Sequence, residues 1–146
     1  MILAGAIRWC LDALPTTSYG MARGGQGDPI RSFRDLIVWQ KAMQLRRLLY
    51  AIVRGLPPEE RYALGLQMRK VSVSVPSTIA EGHARQARKD YRQYLSMARG
   101  SLAEIATQLE VAKEEHYVDA EAFKTALALT DEVSRMTTSI MRKLSH

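Results

Sequence analysis

The feature that most constrains this chain is an apolar rhythm in its third quarter. Tyr91, Leu95, Ala98, Leu102, Ile105, Leu109 and Ala112 are spaced 4, 3, 4, 3, 4 and 3 residues apart without a break. Such spacing places every one of these side chains on one stripe of an α-helix. One helix cannot bury its own stripe, so the chain must supply partners. Three further segments do so. Val38, Ala42, Leu45, Leu49 and Ile52 keep the same rhythm, widened by Leu48 and Val53. Leu64, Met68, Val71, Val75 and Ile79 form another stripe, and Phe123, Ala126, Leu129, Val133, Met136 and Ile140 a fourth. Gly55 with Pro57-Pro58 stops the first helix, because proline cannot continue one and restricts the residue before it. Gly82 is expected to stop the second, and Asp119 to cap the start of the fourth. The short connections near 55–60, 83–87 and 115–119 make neighbours antiparallel, which predicts an all-α, up-down four-helix bundle. Pro76 predicts a kink in the second helix, with Ser72, Ser74 and Ser77 placed to satisfy the freed backbone groups. Gly100 inside the third helix is expected to let another helix approach closely.

Residues 1–32 stand apart as a flexible tail, and 33–146 form the bundle domain. Five of the nine glycines fall in the tail, and GGQGDP breaks any periodicity. A short helix near Ile7–Leu14 and a start at Met21 are possible within it. The opening residues resemble an export signal only faintly, for they lack a basic start and Arg8 interrupts the apolar run. No apolar run reaches the roughly 18 residues of a membrane span. A cytoplasmic setting is expected.

Composition excludes several chemistries. The one cysteine, Cys10, allows no intramolecular disulfide and no thiolate cluster. His83, His116 and His146 have no partner at metal-ligand spacing, and no Glu stands three residues before a His. There is no P-loop and no nucleophile elbow. Glu81 could be a buried acid, but an ordinary hydrogen-bonding role is expected. The sequence therefore predicts no enzyme, no metal and no cofactor.

Charge points elsewhere. Residues 1–99 hold 16 basic and 7 acidic side chains, whereas residues 100–146 hold 5 basic and 8 acidic. A basic part and an acidic part in one chain suit a polyanionic partner, with nucleic acid the usual one. Five of the six charged residues in 85–99 are cationic. Arg85, Arg88, Arg92 and Arg99 would share one face of the third helix if it starts early enough, with Lys89 adjacent. Arg69 and Lys70 stand side by side on the second helix, and Arg46 and Arg47, with Arg54, on the first. Arginine suits phosphate because its planar fork donates two parallel hydrogen bonds. Tyr91 and Tyr94 are interleaved and could stack on bases. The competing expectation is a solvated face linked by ion pairs to the acidic fourth helix, or one that docks an acidic protein. No recognition-helix or zinc-finger pattern supports sequence-specific readout.

Several segments are familiar. Phe33-Arg34-Asp35-Leu36-Ile37-Val38-Trp39-Gln40, Leu56-Pro57 with Glu60, Tyr62 and Leu64, and Gln67-Met68-Arg69-Lys70 occur in order. Ser74-Val75-Pro76-Ser77-Thr78-Ile79-Ala80-Glu81-Gly82, Arg85, and Tyr94-Leu95 with Ala98 and Gly100-Ser101-Leu102-Ala103-Glu104 follow. Together these resemble the four-helix-bundle family of 23S rRNA intervening-sequence proteins. Its relatives include the accessory variability determinant of diversity-generating retroelements. The resemblance spans about residues 33–144. It implies a non-enzymatic bundle that assembles into a homopentameric barrel. For the retroelement branch it implies binding of nucleic acid and of reverse transcriptase during mutagenic cDNA synthesis. Thr78 stands where that family usually has Asn, Ala84 where it often has Gly, and Ala106 replaces an acid. The basic balance favours the retroelement branch.

Overall fold

The computed structural model describes residues 29–146. The expected tail falls almost wholly outside them, as do Cys10, Met21 and the possible helix near Ile7–Leu14. Four helices follow one another: α1 Ile37–Arg54, α2 Leu64–Ala84, α3 Arg88–Glu114 and α4 Ala120–Lys143. Short 3-10 turns at Phe33–Asp35 and Pro58–Glu60 precede α1 and α2. No strand occurs among the described residues. The helices pack in a ring, α1 on α2, α2 on α3, α3 on α4, and α4 back on α1. This is the antiparallel four-helix bundle that the stripes require.

The ends of the helices have local causes. Asp119 caps α4 as expected, its carboxylate accepting from the Ala122 N–H at 2.7 Å. At the entry to α1 the Asp35 carboxylate accepts from the N–H groups of Ser32 at 3.0 Å and Arg31 at 2.9 Å. These bonds hold the Asp35 carboxyl below its ordinary range, Ser32 contributing most. Glu60 joins two turns at one pole: it accepts from the Leu64 N–H at 3.2 Å and from the Tyr117 hydroxyl at 3.3 Å. Helix α3 ends in a Schellman turn. The Tyr117 N–H donates to the Ala112 carbonyl at 2.8 Å and the His116 N–H to that of Lys113 at 3.0 Å. His116 occupies the left-handed position of that turn with φ 59°, a place that glycine fills more readily.

The core contains the expected stripes of α1, α2 and α3 almost residue for residue. Tyr91 and Leu64 are its half-buried edges. Helix α4 departs from expectation. Its buried line is Ala122, Phe123, Ala126, Thr130, Val133 and Thr137, while Leu129, Met136 and Ile140 are only partly buried beside it. Two threonines can occupy the core because each hydroxyl bonds a carbonyl one turn back. Thr130 reaches Ala126 at 2.7 Å and Thr137 reaches Val133 at 2.8 Å.

Three glycine and proline expectations are also revised. Gly82 does not stop α2, which continues to Ala84. Instead Gly82 is the point of closest approach to α3: a Cβ there would lie 2.6 Å from Tyr94 Cβ and 3.0 Å from Tyr91 Cδ2. Gly100 is not a packing glycine, since a Cβ there would meet nothing within 4 Å. Pro76 is accommodated within α2, but Ser72 and Ser74 do not serve the carbonyl it frees. Ser72 donates to the Arg69 carbonyl at 2.8 Å and Ser74 pairs with Ser101 of α3 at 3.3 Å. A helical serine reaches back three or four residues, so neither hydroxyl can turn to the carbonyl of Ser72.

Candidate nucleic-acid interface

The cations named from the sequence divide into three groups. Arg88, Lys89, Arg92 and Arg99 are exposed on α3. Arg88, Arg92 and Arg99, 4 and 7 residues apart, share the side of α3 nearest α4. Arg99 lines a groove of about 450 Å³ between these helices, together with Ser96, Gly100, Ala106, Thr130 and Ser134. Asp131 lies on the opposite wall.

Arg85 does not join that face. Helix α3 begins at Arg88, and Arg85 is the residue that closes α2. Its Nη2 donates to the Tyr94 hydroxyl at 2.9 Å and to Glu81 Oε1 at 3.3 Å, and Tyr94 donates to the same Glu81 oxygen at 3.0 Å. Its Cζ lies 5.1 Å from the Tyr94 ring centroid. The bond to Glu81 holds the Tyr94 hydroxyl above the usual tyrosine range. Gly82 makes this possible, because only a residue without Cβ lets Tyr91 and Tyr94 lie against α2. Arg85 is thus spent on a turn, and Tyr94 is no free base-stacking ring. Glu81 is exposed rather than buried, and has the expected hydrogen-bonding role. Tyr91 is half-buried against the core, with its hydroxyl pushed up by burial.

The third group lies on the α1–α2 side, across the bundle from the α3–α4 groove. Arg69 and Lys70 are exposed on α2, while Arg46 and Arg47 are half-buried on α1. Arg46 Cζ stands 5.1 Å and Arg69 Cζ 6.0 Å from the centroid of the Tyr50 ring. Arg46 Nε and Arg47 Nη1 are buried with no hydrogen-bond acceptor among the described residues. Sequence reasoning missed Tyr50, although its place one turn after Arg46 is a signal that could have found it.

Two ion pairs occur among the described residues: Lys41 with Glu132 at 3.2 Å and Arg85 with Glu81 at 3.3 Å. Of the nine cations named as candidates, eight make none. The expected links to the fourth helix are therefore absent among the described residues for this set, and Ala120–Lys143 is not acidic, holding three carboxylates against four cations. The same residues contain no cluster of three or more His, Cys, Asp or Glu side chains placed to hold a metal ion. No described helix is long and apolar enough to cross a membrane.

No curated protein matches the chain. Among solved structures, a protein of unknown function from the S23 ribosomal protein family of Bacteroides thetaiotaomicron superposes with a TM-score of 0.68. It is 20% identical, and the match covers 73% of this chain and 96% of the other. At that identity the likeness is one of fold. The family model described as 23S rRNA-intervening sequence protein matches residues 34–139, which takes in α1 to α3 and most of α4. The chain belongs to the 23S rRNA-intervening sequence protein family.

Proposed function

We propose that the protein is a non-enzymatic, cytoplasmic nucleic-acid-binding bundle. In this reading it serves as an accessory factor of a diversity-generating retroelement, binding reverse transcriptase and RNA or DNA in support of mutagenic cDNA synthesis. One observation carries the binding reading: Arg46, Arg47, Arg69, Lys70, Arg88, Lys89, Arg92 and Arg99 have no ion-pair partner among the described residues. A surface that leaves its guanidinium groups uncompensated is suited to a polyanion, whose phosphates replace the missing carboxylates. Exposed Leu66 and Val73 on α2, and Met97 and Val111 on α3, support self-association, for which we propose a homopentamer. Repetition of each cation around a ring would then raise affinity by avidity.

Binding of single-stranded RNA and DNA, read by fluorescence anisotropy at two salt concentrations, tests the central claim. Wild type should bind, and affinity should fall steeply with salt. The R88E/R92E double variant should lose binding while its helical circular dichroism is unchanged. Undiminished binding by that variant overturns the assignment to α3. Salt-dependent capture of an acidic peptide with no affinity for either nucleic acid would instead mark a protein-docking module. Native mass spectrometry of purified protein reads the assembly, and a monomer overturns the ring.

A further inference from the structure

We infer that Arg46 and Arg69, held over the ring of Tyr50, form a second phosphate clamp on the α1–α2 side. It takes the backbone of the same nucleic acid at a place separate from the basic face of α3. The inference rests on the nucleic-acid reading above for the source of the phosphate.

Two helices contribute to the clamp. Tyr50 follows Arg46 by one turn on α1, and Arg69 approaches from α2. With Cζ atoms 5.1 and 6.0 Å from one ring centroid, both guanidinium groups lie against the same Tyr50 ring. Nothing acidic stands nearby on these helices: Ile37–Arg54 contains no carboxylate, and in Leu64–Ala84 the sole one is Glu81, which is bonded to Arg85 and Tyr94. Lys41, also on α1, is the cation whose charge is met, by Glu132 on the other side of the helix. Arg46 Nε is moreover buried without an acceptor among the described residues, so its desolvation is uncompensated. A packed charge pair built only for stability would place a carboxylate here. Two guanidinium groups against one ring, with no carboxylate paired to either, are an arrangement suited to a phosphate backbone. Tyr50 acts as a positioning residue: it holds both forks in place and so lowers the entropy lost when phosphate arrives.

The test uses the full chain labelled isotopically at arginine, with the Nε–H resonances assigned by substitution. Short single-stranded RNA, single-stranded DNA and a duplex are added in separate arms. Binding should shift the Arg46 and Arg69 resonances. The R46Q/R69Q variant should weaken binding on the order of tenfold or more for each guanidinium removed. The slope of log K against log salt should also fall by about 1.4, since each single-strand phosphate neutralised contributes about 0.7. If the nucleic acid binds with unchanged affinity and slope in R46Q/R69Q, the clamp is overturned and the general reading stands. If wild type binds no nucleic acid, that reading fails, and inorganic pyrophosphate then decides the clamp alone. Shifts at Arg46 and Arg69 would keep it as a phosphate site, and no shift would overturn it.

Discussion

Replacing Gly82 and Gly100 by alanine should have opposite effects on stability, although both glycines lie within helices of the same bundle. Alanine in a helix interior is favoured over glycine by about 1 kcal/mol. At Gly100 nothing within 4 Å opposes the new methyl group, so the gain should appear nearly whole. At Gly82 the methyl would sit 2.6 Å from Tyr94 Cβ, against an ordinary carbon contact of about 3.5–4.0 Å. Tyr94 Cβ is attached to the backbone of α3 and cannot swing away, so the helices must part by roughly 1 Å. Overpacking of that kind costs about 1–3 kcal/mol. The displacement also pulls the Tyr94 hydroxyl from Glu81 and Arg85, which is worth less because the network is exposed. Gly82→Ala should therefore destabilise by about 1–2 kcal/mol, whereas Gly100→Ala should stabilise by about 0.5–1 kcal/mol. For a domain of this size about 1 kcal/mol corresponds to roughly 4 °C in Tm. Thermal unfolding followed by far-UV circular dichroism at one protein concentration reads both. A Gly82→Ala variant whose Tm rises with that of Gly100→Ala would refute the account of the α2–α3 packing.

Two further predictions concern the ends of helices. His116→Gly should raise stability by about 0.5–1 kcal/mol in chemical denaturation, because the left-handed conformation at φ 59° strains a side chain with a Cβ. Asp35→Asn should flatten the acid limb of the stability profile. The folded-state pKa of Asp35 lies below its ordinary 3.8, so its carboxylate contributes stability above that value and loses it as pH falls through the lowered one. The gap in Tm between wild type and Asp35→Asn should thus close as pH is lowered below about 4.

Much of the architecture is legible in the sequence because it is local. Apolar spacing marks a helix face without reference to any other residue, and Gly55, the prolines beside it and Asp119 punctuate the chain by their own backbone chemistry. The stripes of α1, α2 and α3 can be read for this reason. The fourth misleads where hydropathy and burial part company. Thr130 and Thr137 look polar in sequence, yet their hydroxyls are satisfied within α4, and the methyl groups fill the core. Leu129 and Met136 are the more apolar choice one position earlier, and the rotation of α4 against α1 and α3 leaves them at its edge.

The candidate site shows the same division. That the chain carries an excess of arginine on its first helices, with few carboxylates to meet it, follows from the sequence alone. Which cations stay free does not. Arg85 looks equivalent to Arg88 in spacing, but α3 begins three residues later, and Glu81 and Tyr94 capture it. Arg46 and Arg69 are 23 positions apart and meet only because α1 and α2 pack side by side with Tyr50 between them. Gly82 and Gly100 are the same residue in the same kind of helix, and only the neighbour opposite tells them apart. Periodicity and chain-breaking act over a few bonds, so the amino-acid order determines them. Helix rotation and register are settled by the packing of one surface against another, so they belong to the tertiary structure.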